Sequence, residues 1–155
     1  GQSKINSLTR LTTKMYFCGL FCLSEQKRSK GVIMLYTEII KDNRDFLSTY
    51  RRGRYSASRY SVIYVRPNGR PYNRLGITAG KSVGNAVCRN RAKRLIRLAY
   101  REAEVSIPVG MDIVIVARSL LSEVRSQEYC EYMRKKGIPD INKMFCSFDA
   151  GKKRV

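Results

Sequence analysis

The sequence predicts a small α+β domain, and three features carry that expectation. Asp112–Arg118 (DIVIVAR) is a continuous apolar run, the mark of a strand buried on both faces. Gly84–Glu102 (GNAVCRNRAKRLIRLAYRE) places its apolar residues on one side of a helix and its cations on the other. Around these two, the chain from Lys41 to Lys136 reads in order as helix, strand, strand, helix, strand, helix. At 155 residues it makes one domain with at most a tail, long enough to bury a modest core.

Residues 1–33 read as a lead-in to that domain. The chain opens on Gly1, and Met15–Leu23 (MYFCGLFCL) is apolar but far too short to span a bilayer. No small-x-small cleavage site follows it, which argues against a secretory signal. Ser24–Gly31 is polar and charged, like a linker. Residues 1–33 are therefore expected to be a disordered extension foreign to the native protein, with Met34 as the true start and residues 34–140 as the domain. Lys41–Arg52 (KDNRDFLSTYRR) predicts a helix, with Asp42 or Asn43 to cap it and Gly53 to close it. Phe46 and Tyr50 are four apart and share one face of it, either as core or as a surface pair.

Tyr60–Arg66 (YSVIYVR) has the β-branched and aromatic content of a strand. Tyr60, Val62 and Tyr64 point to one side of it, and Ser61, Ile63 and Val65 to the other. Pro67-Asn68-Gly69 turns the chain towards a second strand, Arg74–Ala79, which leads through Gly80 into the basic helix. Pro108-Val109-Gly110 breaks the chain ahead of the Asp112–Arg118 strand. A last helix runs from Ser122 to Lys136, with Gly137-Ile138-Pro139 as its end. Residues 141–155 then form a basic tail finishing in GKKR, expected to be mobile.

The basic helix sets the functional expectation. At about 100° per residue, Arg89, Lys93, Arg94, Arg97 and Arg101 fall within an arc of roughly 140°. Cys88, Ala92, Leu95, Ile96, Ala99 and Ala103 share the opposite side, and Arg91 stands apart beside Leu98 and Glu102. Six cations precede the first acid, Glu102. Like charges at this spacing repel one another, so the face calls for a polyanion, where a merely solvated helix would mix its signs.

The whole chain agrees: 31 basic against 12 acidic residues give a net charge of +19 and a pI near 10.2. Residues 1–33 hold six of the bases and one of the acids, leaving a surplus of 14 in the remainder. An anionic membrane could also satisfy such a surplus, but no helix with a bulky aromatic apolar face accompanies it. The absence of histidine removes the commonest general base and excludes a protein nuclease built on one. Cys18, Cys22, Cys88, Cys130 and Cys146 are odd in number; Cys18-x-x-x-Cys22 has finger-like spacing, but histidine is absent and no second Cys pair follows, which suits reduced thiols in the cytoplasm.

Gly76–Ser82 (GITAGKS) invites comparison with a phosphate-binding loop, but three residues separate Gly76 from Gly80-Lys81-Ser82 where that loop needs four. No nucleotide cofactor is expected.

The residues Lys81, Val83, Gly84, Asn85, Ala86, Val87, Arg89, Asn90, Arg91, Lys93, Arg94 and Arg97 match twelve positions of a fixed-spacing signature. In this the chain resembles the RNR-motif family, the bacterial ribonuclease P protein subunit. Two positions depart from the usual pattern: Gly80-Lys81-Ser82 replaces a Ser-Lys-Lys run, and Leu98 stands where glutamate is common. The resemblance covers roughly residues 36–135. It implies a four-stranded mixed sheet packed with helices, with a short extra strand near Tyr55–Ala57. It also implies a left-handed crossover, as in ribosomal-protein-like RNA-binding folds and against the general rule.

The same resemblance implies a subunit that binds while RNA performs the chemistry. In the family a large RNA with Mg2+ hydrolyses the 5′ leader from precursor tRNA, and the protein supplies neither catalytic residues nor metal ligands. The sequence agrees in offering no clustered carboxylates and no nucleophile–base pair. For the RNA subunit the implied residues are Lys81, Asn85, Arg89, Asn90, Arg91, Lys93, Arg94, Arg97 and Arg101, which would displace counterions from phosphates. For the precursor-tRNA leader they are Phe46, Tyr50, Val62 and Tyr64, since aromatic rings hold single-stranded RNA with little sequence demand. The alternative is a ribosomal protein or general RNA chaperone with no preference for precursor tRNA. A DNA-binding module is disfavoured by the lack of a helix-turn-helix or a dimer zipper.

Overall fold

The computed structural model describes residues 35–152. The expectations for residues 1–33, for Met34 as the start and for the last residues of the tail lie outside that range. Five strands form one mixed sheet: β1 (Thr37–Ile39), β2 (Arg54–Ala57), β3 (Ser61–Pro67), β4 (Asn73–Ala79) and β5 (Met111–Ala117). Their order is β1-β4-β5-β3-β2, with β5 central, parallel to β4 and antiparallel to β3. That position explains the unbroken apolar run, because Met111 to Ile115 are all fully buried. Among the described residues four α-helices accompany the sheet: α1 (Asn43–Arg52), α2 (Ala86–Ala103), α3 (Ser126–Tyr132) and α4 (Ile138–Lys152).

The α+β class holds, with one strand more than expected. β1 has three residues, too few to show an alternation, and exists because β4 offers it a parallel partner. Glu104, 2% exposed at the far end of α2, secures the approach to it by accepting the backbone N–H groups of Leu35 and Tyr36 at 2.9 and 2.8 Å. A buried carboxylate needs such donors, and these two have no strand partner of their own.

The sheet has two different faces. Ile63, Val65, Leu75, Ile113 and Ile115 form the main core with Ala92, Leu95, Ile96 and Ala99 of α2, Tyr129 of α3 and Ile141 of α4. On the opposite face the register sets Tyr55, Tyr64, Val114 and Gly76 in one row and Ala57, Val62, Val116 and Thr78 in the next. There, α1 lies across the sheet. Tyr60, expected on the side of Val62 and Tyr64, precedes β3 and is buried in the main core, its ring edge-on to Tyr129 at 6.3 Å.

The C-terminal boundaries differ from expectation. Ser119–Ser122 is a 3-10 turn and the helix begins only at Ser126. Gly137-Ile138-Pro139 does not end it: Met133–Gly137 widens into a π turn, and α4 carries the chain on to Lys152 through residues expected to be a mobile tail. Pro139, which has no N–H to donate, follows just after that π turn. Gly137 lets the Met133 thioether lie against its bare Cα, and Ile138, Ile141 and Met144 bury the continuing helix. Gly53 closes α1 at an ordinary φ of −78°. It is small for a reason of space, since a Cβ would lie 2.9 Å from the Val65 carbonyl.

Candidate RNA interface

The basic surface begins where β4 ends. Lys81–Val83 makes a single 3-10 turn, Gly84 follows at φ 125°, a value that disfavours any side chain, and Asn85 starts α2. The Asn85 side-chain oxygen accepts the Cys88 N–H at 2.9 Å, so this residue of the signature is the helix cap. Beyond it Asn90, Arg91, Arg94 and Arg101 are exposed, and Arg89, Lys93 and Arg97 are half-buried along the border with the core. Lys81 is exposed just before the cap. Among the described residues none of these seven cations forms an ion pair, although five ion pairs exist elsewhere. Arg91 reaches the Val124 carbonyl at 3.4 Å, in keeping with its separation from the main arc.

The second surface lies on the other face of the sheet. Tyr50 projects from the last turn of α1, its ring edge-on to Tyr64 at 4.9 Å and its hydroxyl 3.1 Å from that of Thr78. Val62 and Tyr64 are half-buried and floor the space beside it, together with Val116. Phe46 lies deeper, over Gly76: a Cβ on that glycine would stand 2.5 Å from the ring and 3.2 Å from Val114. Phe46, Tyr50, Val62 and Tyr64 are thus all half-buried and border the cleft between α1 and the sheet, with Phe46 packed over Gly76. Tyr55, absent from the expected set, extends the cleft. Its ring is 5.7 Å from Tyr64 and 67% exposed. Only the β2–β3 register brings the two together, and a strand of four residues gives too little alternation to announce it.

The cleft is held in shape by buried charge. Asp112, fully buried, accepts two hydrogen bonds from Arg74 at 2.7 Å, one from Arg66 at 2.5 Å and one from Asn68 at 3.1 Å. Arg74 also reaches Asp45 on α1 at 2.6 Å, so the network ties that helix to the sheet. Burial pushes the Asp112 carboxyl up, but the hydrogen bonds from Arg74, Arg66 and Asn68 outweigh it and hold the group below the usual carboxylate range. Asp112 is the one charge in the otherwise apolar β5. Its role as a hub was not legible in the sequence, since its donors come from β3, β4 and the turn between them. Burial, with Glu102 beside it, pushes the Cys130 thiol up to about 11, which leaves it a poor nucleophile at neutral pH.

Comparison with known proteins agrees with this arrangement. The ribonuclease P family model matches residues 34–136. A ribonuclease P protein component from Shouchella clausii is 43% identical over 103 residues, covering 63% of this chain and 83% of that protein. The solved RNase P protein from Thermotoga maritima superposes with a TM-score of 0.58 at 35% identity, covering 63% of this chain and 93% of that one. The one from Staphylococcus aureus gives 0.56 at 30% identity, covering 69% and 96%. With its signature capped on α2, its cations unpaired and two thirds of its length matched, the chain belongs to the ribonuclease P protein family.

Proposed function

We propose that this ribonuclease P protein component binds the catalytic RNA through α2 and the 5′ leader of precursor tRNA through the cleft between α1 and the sheet, promoting endonucleolytic removal of the leader. The carrying observation is the open cluster of Tyr50, Tyr64 and Tyr55 on the sheet face opposite the one that packs α2. Two RNA-binding surfaces that do not overlap suit a protein bridging two RNAs. Lys81, Asn90, Arg91, Arg94 and Arg101, with the half-buried Arg89, Lys93 and Arg97, would meet phosphates of the RNA subunit; Asn85 contributes by setting where α2 starts. In the cleft, rings hold bases by their faces, which accepts leaders of any sequence.

The chemistry in this reading belongs to the RNA and the Mg2+ it holds, acting in the cytoplasm. Among the described residues no three His, Cys, Asp or Glu side chains converge as metal ligands. Nor is any described helix long and apolar enough to cross a membrane. The test is reconstitution with the RNA subunit, comparing affinity for precursor and mature tRNA with and without the protein. The protein should tighten precursor binding far more than mature binding, and an equal gain for both would reduce its contribution to charge.

A further inference from the structure

A groove lies around the edge of the sheet from the cleft, and nothing so far gives it a role. It has a volume of about 580 Å3 and runs between the outer strand β2 and α4, lined by Arg54, Tyr55 and Ser56 on one wall and Asp140, Lys143 and Ser147 on the other. The α4 wall lies beyond residue 136, where the family match ends. The groove is therefore built in part by the C-terminal helix.

We propose that this groove continues the leader path: single-stranded RNA leaving the cleft passes over Tyr55, turns around the β2 edge and lays its backbone between Arg54 and Lys143. This rests on the cleft binding the leader as proposed above. Three observations support it. Tyr55 lines the groove and also touches the cleft, so the two are continuous through one exposed ring. Arg54 and Lys143 are exposed on opposite walls and form no ion pair among the described residues, while the Arg54 guanidinium is steadied over the Phe148 ring at 5.2 Å. The single acid, Asp140, has one carboxylate oxygen occupied by the Ser56 hydroxyl at 2.6 Å. Cations on both walls with a stacking ring at the entrance fit a polyphosphate chain with bases, and fit an acidic peptide less well, since that would leave Tyr55 without a planar partner.

The test uses the full chain assembled with its RNA subunit and precursor tRNAs whose leaders are lengthened stepwise. The double variant Arg54→Gln/Lys143→Gln, which keeps the side-chain stems, should bind short-leader precursors like the wild type and fall behind as the leader grows. At the longest leaders its log–log salt slope should be smaller by about 1.4, two single-strand phosphate contacts at roughly 0.7 each. Asp140→Asn, which keeps the acceptor for Ser56, should shift the other way and tighten long-leader binding only. A deficit independent of leader length, or none at all, overturns the groove path. Tyr50→Ala in the same assay separates the two claims: if it still erases the preference for precursor while Arg54 and Lys143 do nothing, the cleft stands and only its extension fails.

Discussion

Single side chains shape the aromatic face beside α1 and fix its position on the sheet. Tyr50 and Tyr64 meet edge to face, and both are half-buried. Replacing either with alanine in the assembled ribonucleoprotein should weaken precursor-tRNA binding by the worth of a stacked base, about 1–3 kcal/mol, or roughly 5- to 150-fold. Mature tRNA binding should be unchanged; a loss shared by both substrates, with circular dichroism intact, would make the rings packing residues. Asp112 acts behind them. Its folded pKa lies below the unfolded value, so its contribution is present above about pH 4 and lost as the pH falls through the folded value. Asp112→Asn should cost about 3–5 kcal/mol at neutral pH, because it leaves Arg66 and Arg74 facing a neutral group where their carboxylate was. The variant's melting temperature should also fall less than the wild type's on acidification below pH 4. Parallel acid titrations of the two proteins would contradict the network.

At the scale of elements, α2 and α4 illustrate opposite relations between pattern and structure. The α2 pattern is strong enough to survive tertiary context: Ala92, Leu95, Ile96 and Ala99 are buried as their spacing predicts. Its cations lack acidic partners among the described residues. Changing Arg89, Arg91 and Lys93 together to alanine should flatten the salt dependence of RNA-subunit binding by nearly one unit of slope per lost contact, if the RNA there is duplex. An unchanged slope would show that the face points to solvent. α4 follows Gly137-Ile138-Pro139, which reads as a stop, yet the helix continues because burying Ile138, Ile141 and Met144 is worth about 1.5–3 kcal/mol each. Their sum rivals the whole stability of a small domain. Deleting residues 138–155 should therefore lower the melting temperature by tens of degrees or abolish cooperative unfolding, as followed by circular dichroism. A shift of only a few degrees would show that α4 is an accessory.

For the molecule as a whole, the Glu104 carboxylate marks where the domain is tied off, since it takes the N–H groups of Leu35 and Tyr36. A chain beginning at Met34 should accordingly fold, melt within a few degrees of the longer one and bind the RNA subunit equally well. A large drop in either property would place residues 1–33 inside the working protein. The sequence by itself determined the α+β class, the strand buried on both faces, the basic helix, and the family. Each of these is written in a local pattern: an apolar run, a helical spacing, a signature of twelve positions. It could not decide β1, the continuation into α4, the Asp112 hub or the place of Tyr55 in the cleft. Those depend on partners far apart in the chain, such as Glu38 beside Arg74, Ser56 on Asp140 and Tyr55 across from Tyr64. Periodicity reports which side of an element is apolar. Which residues meet across strands and around a sheet edge is settled only when register and burial bring them together.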